Sequence, residues 1–551
     1  MAHTSMFRSF VCALQRARRE NLEAAGKPLP LTKEQTRWTR RRFLKATAIA
    51  GGLGFVSSVG PRRALARQPQ GPTIAIVGGG LAGLNAAYQL QKLGFTATVY
   101  EARKRLGGRI FSVRDAVGEG LVIDFGGTFI NTDHADMLAL VEDFSLTLFN
   151  RIEDAERLAI PKTAYFFDGR SHSEAGVADL LRPLAAQITA DADLLDADYD
   201  RIAPEFDHMS VTAYLDQHAD KIPEPFIRTL IENAIRTEYG VEPEASSALQ
   251  LIFLLPTVDG DKVDVLGYSD ETFVVAGGSS RIIERLAQAL EGQIRNRMRL
   301  VKLQSRDQGF RLTFRRPGHP PASRQWHERE ASPEDEVVDA DYVILALPFT
   351  VLRHVDLQVD LPETLWRFIH EVDLGSNEKL FAGVEEKFWR HEEGFGMDAW
   401  TDLGFSAIWD ETQRQPDRSE GALTCYFGGR ETLRVRVGSA ESQGEKALHR
   451  LEAVLPGAQA SANGRFAHTR WTRDRFSRGA YVNFKPGQLT AFADFFYIDS
   501  DDPGERQDVH VGNLIFADEH LSDAYYGFMN GAAETGRLAA QVVARRILEV
   551  V

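Results

Sequence analysis

Thr73-Ile74-Ala75-Ile76-Val77 runs straight into Gly78-Gly79-Gly80-Leu81-Ala82-Gly83 and then into a helical pattern carried by Ala86, Ala87, Leu90 and Leu93. The order is β-branched strand, glycine turn and amphipathic helix, the opening of a dinucleotide-binding βαβ unit. In such a unit Gly78 permits the tight turn, Gly80 lets backbone approach a pyrophosphate, and Gly83 lets helix and strand pack closely. Leu81, Ala82 and Gly83 open the helix and supply amide donors and positive dipole. A second strand, Thr96-Ala97-Thr98-Val99-Tyr100, ends on Glu101, placed to accept hydrogen bonds from ribose hydroxyls.

The chain continues through Glu101-Ala102-Arg103-Lys104-Arg105-Leu106-Gly107-Gly108-Arg109 and reaches Asp124-Phe125-Gly126-Gly127-Thr128-Phe129-Ile130. Arg103 and Arg109 offer the positive charge that a diphosphate needs, and Gly126 and Gly127 let backbone pass close to a flat ring. These strings resemble the E-A-R-x-R-x-G-G-R and D-x-G-G signatures of the FAD-dependent amine oxidases, the family of monoamine, polyamine and L-amino-acid oxidases. The resemblance extends to Val274-Val275-Ala276-Gly277-Gly278, to Asp341 through Pro348, to Ile515 through His520, and to Gly527-Phe528-Met529-Asn530-Gly531-Ala532.

The resemblance implies an α/β fold in which a Rossmann-like FAD-binding domain of the glutathione-reductase type is interleaved with an α+β substrate-binding domain. Residues 73–144, 272–350 and 500–548 would form the first, and 145–271 and 351–499 the second. Between Ser145 and Glu271 the periodicity is helical, clearest over Asp179–Leu195 and Phe226–Ile235. The resemblance also assigns roles. Glu519 matches the acid at the flavin ribityl or phosphate region, Thr128, Gly527, Phe528 and Met529 lie against the cofactor, and Leu300 matches the position that holds adenine through its backbone.

Oxidising an amine removes a hydride equivalent from the carbon beside a neutral nitrogen, chemistry that the flavin ring performs without a protein nucleophile. In keeping with this, the sequence has no G-x-S-x-G, H-E-x-x-H or C-x-x-C. By resemblance Lys379 holds a water against the flavin and assists reaction with oxygen. Tyr481 and Phe528 are the aromatic pair flanking the substrate nitrogen, with Tyr525 and Tyr526 nearby. Ala480 stands where monoamine oxidases carry a cysteine bonded to FAD, which implies non-covalent FAD. Asp518 replaces the glycine usual before the ribityl-binding acid, and either faces the substrate or caps the following turn.

The substrate is a simple amine or polyamine on this reading, because Phe129 occupies the position of the arginine that anchors the carboxylate in L-amino-acid oxidases. The alternative is a basic amino acid such as arginine or lysine, which Asp518 and Asp523 would suit. A further alternative is a flavin dehydrogenase or desaturase passing electrons to a quinone, for which Leu251–Leu255 is the one candidate for an apolar entrance loop. Asn131-Thr132-Asp133-His134-Ala135-Asp136 has the look of a metal cluster but reads as a helix start capped by Asp133 or Thr132, and no metal is assigned.

The first 66 residues form a different kind of segment. Thr39-Arg40-Arg41-Arg42-Phe43-Leu44-Lys45 precedes a weakly apolar run from Ala46 to Val59 and an Ala64-Leu65-Ala66 site. That order reads as a cleavable export signal of twin-arginine type, with the export machinery as partner and a periplasmic or extracellular destination. The run is too short to span a bilayer, which needs about 20 residues. Residues 1–66 hold 13 of the 64 Lys+Arg and 3 of the 78 Asp+Glu, leaving 51 basic against 75 acidic and a net charge of −24. Such a field repels nucleic acid and attracts cations, amines among them, and acidity kept for solubility accounts for it equally well. Of the two cysteines, Cys12 lies in the signal and only Cys425 remains, so an internal disulfide is excluded. The oligomeric state is open, a homo-oligomer included.

Overall fold

In the computed structural model, which describes residues 71–267, 269–316, 335–500, 502 and 504–550, the quoted stretch forms strand β1 (Ile74–Val77), helix α1 (Leu81–Lys92) and strand β2 (Ala97–Glu101). The export-signal reading of residues 1–66 lies outside the described residues. β1 pairs in parallel with β2 on one side and with Tyr342–Leu345 on the other. The full order is Ile294–Asn296, β2, β1, Tyr342–Leu345, Leu514–Phe516 and His510–Val511, with only the last strand antiparallel. Every residue of β1 and of Tyr342–Leu345 is buried, as a parallel sheet covered on both faces requires.

Helix α1 lies against this sheet because Gly83 has no side chain. A Cβ there would strike the Gly78 carbonyl oxygen, and one on Gly78 would strike the Ala346 carbonyl. The carboxyl-terminal helix, Met529–Val550, packs on α1 through Gly536 against Ala82 and through a 2.6 Å bond from Asn85 Nδ2 to the Ala533 carbonyl. The parallel sheet therefore draws its strands from 73–144, 272–350 and 500–548.

A second, seven-stranded sheet runs in the order Ala462–His468, Asn377–Val384, Gly421–Gly428, Ala407–Asp410, Asp398–Thr401, Thr163–Phe167 and Arg170–His172. Its strand Asn377–Val384 is buried throughout, over an apolar cluster that includes Trp389, Phe395 and Phe405. Helices Glu174–Ala197 and Pro225–Tyr239 contain the two amphipathic stretches read from the sequence. Leu251–Leu255 is corrected: Leu251–Leu254 belong to helix Ala248–Leu254, all five side chains are buried, and no apolar entrance loop is formed there.

A four-stranded sheet, ordered Glu336–Ala340, Phe310–Arg315, Arg299–Ser305 and Asp356–Gln358, is tied to β2 by stacking of Phe314 on Tyr100 at 4.5 Å. The ladder slips between Leu300 and Lys302, and the strand on the other side begins pairing only at Lys302. Leu300 thus lies at an irregularity rather than in plain ladder. The helix after Ile130 also departs from expectation. It runs Ala135–Asp143 with His134 at its cap position and no side-chain cap bond, because Thr132 is bonded to Asp270 and His134 Nδ1 accepts the Asn131 N–H.

Candidate functional site

The amino terminus of α1 has no side-chain cap and no acidic residue in its first turn, so among the described residues no side chain answers its first amides. A Cβ on Gly80 would meet only Gly108 Cα, at 3.9 Å, which leaves the wall in front of the helix open. Beside it, Glu101 Oε2 accepts the Gly79 N–H at 2.8 Å and Oε1 accepts the Arg103 N–H at 2.6 Å. An uncapped helix end with an open glycine wall fits a diphosphate, and a carboxylate closing the second strand fits a ribose. These residues fit FAD.

The two arginines are already matched within the protein. Arg103 forms a two-pronged pair with Asp474 at 2.7 and 2.6 Å and reaches Ser477. Arg109 holds Asp518 with one nitrogen, both contacts at 2.6 Å, and Glu519 and the Ala480 carbonyl with the other, at 2.6 and 2.9 Å. Glu519 Oε2 in turn accepts the Gly527 N–H at 2.7 Å, just before the terminal helix. Arg109 is thus a clamp joining three segments, and neither guanidinium is left as free charge for a diphosphate. Of the two readings of Asp518 the cap is the one formed: its carboxylate faces Arg109 and caps the turn Glu519–Leu521 through the Glu519 N–H, which corrects the substrate-facing reading. Burial opposes its ionisation, but Arg109 and then His520 outweigh that and hold the carboxyl down to about 2.

Gly126 and Gly127 allow a tight approach. A Cβ on Gly126 would strike the Arg109 carbonyl, and one on Gly127 would come within 2.6 Å of Met529 Sδ. From the second sheet Lys379 reaches this turn, and its Nζ donates to Asp124 O at 3.0 Å, Gly126 O at 2.7 Å and Thr128 Oγ1 at 2.6 Å. An ammonium has three donors, and all three are used. Burial lowers the Lys379 pKa, with Glu411 and Asp124 opposing the shift. Asp124 is itself held by Arg414 at 2.7 Å, by Ser279 N–H at 3.1 Å and by the Ser112 hydroxyl.

Aromatic rings line the side of Lys379 away from the glycine loop. Trp409 lies 5.2 Å from its Nζ, 5.4 Å from Phe129 and 5.0 Å from Tyr426. The Tyr426 hydroxyl meets that of Tyr481, which also donates to the Thr237 carbonyl. Phe528 instead packs against His134 at 5.2 Å, and no ring contact joins it to Tyr481 among the described residues. Tyr526 is buried on Tyr239 and Phe484. Asp523 is buried next to Glu534, and burial raises its pKa well above the carboxylate range, with Glu534 adding to the shift.

Four functional residues escaped the sequence reading. Arg151 lies with its guanidinium 4.2 Å over the Phe129 ring, but it is spent on Gln413, on the Glu271 and Met397 carbonyls, and on the Glu271 and Asp398 carboxylates. Glu271 sits at the strained φ of +44° and keeps 23% of its side chain accessible deep inside the protein, where burial raises its pKa to about 8 against the pull of Arg151. Glu238, next to the Thr237 carbonyl that Tyr481 bonds, is also incompletely covered, and burial raises it to about 7. No hydrogen bond or ion pair engages the Glu238 carboxylate among the described residues. The sequence did carry a signal: Glu238 falls on the apolar stripe of its helix, three residues after Ile235 and seven after Ile231. Trp409 gave none.

Comparison with known proteins agrees with this geometry. Residues 81–544 match the family model described as flavin containing amine oxidoreductase. Amine oxidase [flavin-containing] B of Sus scrofa is 24% identical over 490 residues, covering 85% of both chains. Amine oxidase [flavin-containing] of Danio rerio is 24% identical over 486 residues, again covering 85% of each. Among solved structures, wild-type putrescine oxidase bound to putrescine superposes with a TM-score of 0.67 at 22% identity, over 86% of this chain and 100% of that one. Cyclohexylamine oxidase from Brevibacterium oxydans gives 0.65 at 19% identity, over 87% and 100%.

Asp518→Asn removes one partner of the Arg109 clamp while Glu519 and the Ala480 carbonyl remain. Its expected cost is about 1.5–3 kcal/mol, the range of a hydrogen bond to a charged group, measured by denaturant unfolding at pH 7. The carboxyl titrates lower folded than unfolded, where it would lie near ~3.9. Its contribution is therefore complete above about pH 4 and is lost as the pH falls toward about 2, so the variant should show a flatter acid limb than the parent.

Proposed function

Because the chain belongs to the flavin-containing amine oxidoreductase family, and is therefore an FAD-using oxidoreductase, we propose that it oxidises amines bearing a second positive charge, diamines or polyamines. Oxygen is the electron acceptor in this reading. The amine, oxygen and water become an aldehyde, ammonia and hydrogen peroxide, by way of the imine. FAD, when bound, supplies the two-electron acceptor. The amides of Leu81, Ala82 and Gly83 and the Glu101 carboxylate would hold its dinucleotide half. Thr128, Gly126, Gly127 and the Gly527–Met529 segment would meet the rest.

The observation that carries the substrate reading is Glu238, a deep carboxylate with no hydrogen-bond or ion-pair partner among the described residues, beside a second incompletely covered acid, Glu271. A buried carboxylate is costly unless paired, and a substrate ammonium is the missing partner. Tyr481, Tyr426 and Trp409 form an aromatic wall that steers a cation past Phe129 toward Lys379. Lys379 presents a fixed positive charge at the Gly126–Thr128 turn and would favour reduction of oxygen there. Among the described residues the arginine found over the Phe129 ring is Arg151, and its donors are occupied, which supports an amine over an amino acid needing a carboxylate anchor. Burial of Leu251–Leu255 removes the support for a quinone-linked reading.

Non-covalent attachment of FAD is supported by the methyl group of Ala480 and by the place of Cys425 inside the apolar core of the second sheet, where burial pushes its thiol up to about 12. Export by the twin-arginine route rests on Thr39–Lys45 and Ala64–Ala66. In that reading the folded, FAD-loaded protein is found in the periplasm beginning after Ala66, and replacing Arg40 and Arg41 by lysine retains it in the cytoplasm, as fractionation and amino-terminal sequencing would show.

A peroxide assay of the yellow protein against 1,4-diaminobutane, longer polyamines, 1-aminobutane, arginine and lysine tests the main reading. Diamines and polyamines should give peroxide, and acid precipitation should release all the FAD. Peroxide from amino acids alone would sink the substrate assignment, and flavin bleaching without peroxide would sink oxygen as acceptor.

Glu238→Gln should raise KM for 1,4-diaminobutane by at least about tenfold, equivalent to ~1.4 kcal/mol, and leave 1-aminobutane nearly unchanged. With folded pKa values of about 7 and about 8, Glu238 and Glu271 are neutral in the free site under mildly acidic conditions. The parent should accordingly bind the diamine better as pH rises through that window, and the variant should show less of this gain. Equal losses for both amines would contradict the assignment.

A further inference from the structure

Glu411 lies behind the site, in the string Trp409-Asp410-Glu411-Thr412-Gln413-Arg414 that leaves the second sheet and turns toward the first. Its Oε1 accepts the Asp124 N–H at 2.7 Å and is approached by Arg414 at 3.4 Å. Its Oε2 accepts the Trp409 indole N–H and the Thr424 hydroxyl, both at 2.8 Å. All four surrounding groups are donors, so only an acceptor-only side chain satisfies both ends. The two ends also border Lys379 on different sides. Asp124 begins the turn whose oxygens take the lysine protons, and the Trp409 ring lies 5.2 Å from the same Nζ.

We propose that Glu411 is a positioning residue for Lys379, a single carboxylate that fixes from its two oxygens both the turn and the indole between which the lysine ammonium sits. It touches neither substrate nor cofactor. Arg414 completes the arrangement by joining the Asp124 carboxylate, Glu411 and the Val275 carbonyl. The charged groups that act on Lys379 are Glu411, Asp124, Arg414 and Glu271. Glu378, its neighbour on the strand, is engaged by Thr469, Trp471 and Thr472. Of these, Glu411 alone holds two of the groups that contact Lys379. A glutamine in its place can accept at one end only, and its amide turns donors toward donors at the other.

The inference rests on the reading of Lys379 as the residue that assists oxygen, and the experiment separates the two. Reoxidation of the reduced holoenzyme by oxygen is followed across pH for the parent, Lys379→Met, Glu411→Gln and the double variant, alongside amide hydrogen exchange of the 124–128 segment with and without FAD. Glu411→Gln should keep FAD bound, raise exchange in that segment and slow reoxidation by about tenfold. Loss of its negative charge lets the ammonium lose its proton more easily, so the pH midpoint of reoxidation should move down by about one unit. In the Lys379→Met background the second change should add no further slowing. Multiplying defects, or an unmoved midpoint, overturn the positioning role. A silent Lys379→Met overturns the reading of Lys379 and this inference with it. Should Glu411→Gln fail to fold, Trp409→Phe, which removes the indole N–H that Glu411 accepts and leaves a smaller ring beside Lys379, enters the same cycle with the same expected non-additivity.

Discussion

A buried lysine ammonium needs three acceptors, and Lys379 finds all three on one turn, Asp124–Thr128, which lies outside its own sheet. That requirement governs much of the surrounding structure. The acceptors are two main-chain carbonyls and a hydroxyl, fixed in direction only if the Asp124–Thr128 turn is itself rigid. Rigidity comes from the Asp124 side chain, bound by Ser112, Ser279 and Arg414, and from two glycines so closely packed that any side chain would collide with Arg109 or Met529. Breaking one member of such a network leaves several desolvated polar groups without partners, which is why these contacts specify one arrangement of the two sheets.

A second theme is the division of charge. Around the glycine loop, protein carboxylates neutralise the arginines, and what remains for an anionic ligand is backbone amide and helix dipole. Around Phe129 and Tyr481 the pattern inverts: Arg151 is engaged by Gln413, Glu271, Met397 and Asp398, while among the described residues Glu238 stands without a partner and Glu271 is only partly covered. One region thus offers free backbone amides and the other incompletely covered carboxylates. An overall charge of −24 beyond residue 66 adds a long-range field of the same sign as the inner acids.

The parallel sheet was legible in the sequence because its elements obey local rules: an unbroken apolar strand, glycines at the turn, and an acid at the end of the second strand. Lys379 was legible only through resemblance, and its partners were not legible at all, since Asp124 and Lys379 are 255 residues apart and carbonyl acceptors leave no trace in side-chain identity. Asp518 shows the opposite error. A charge at an unexpected position invited a substrate role, yet Arg109, 409 residues earlier in the chain, claims it. Leu251–Leu255 misled for a related reason, because a short apolar run cannot by itself distinguish an entrance loop from a core helix. Glu238 could have been found, since an acid on the apolar stripe of an amphipathic helix demands an explanation.

The contact of Asn85 and Ala82 with Ala533 and Gly536 bears on when the protein can become functional during its manufacture. The glycine loop leaves the ribosome about 450 residues before the helix that packs on α1 and the Glu519–Gly527 bond that precedes it. With strands of both sheets also drawn from distant segments, no amino-terminal fragment holds a finished cradle. Cofactor capture is thereby deferred until the segment through Gly536 has been synthesised, and the nascent chain must remain free of aggregation without the ligand that would otherwise stabilise it.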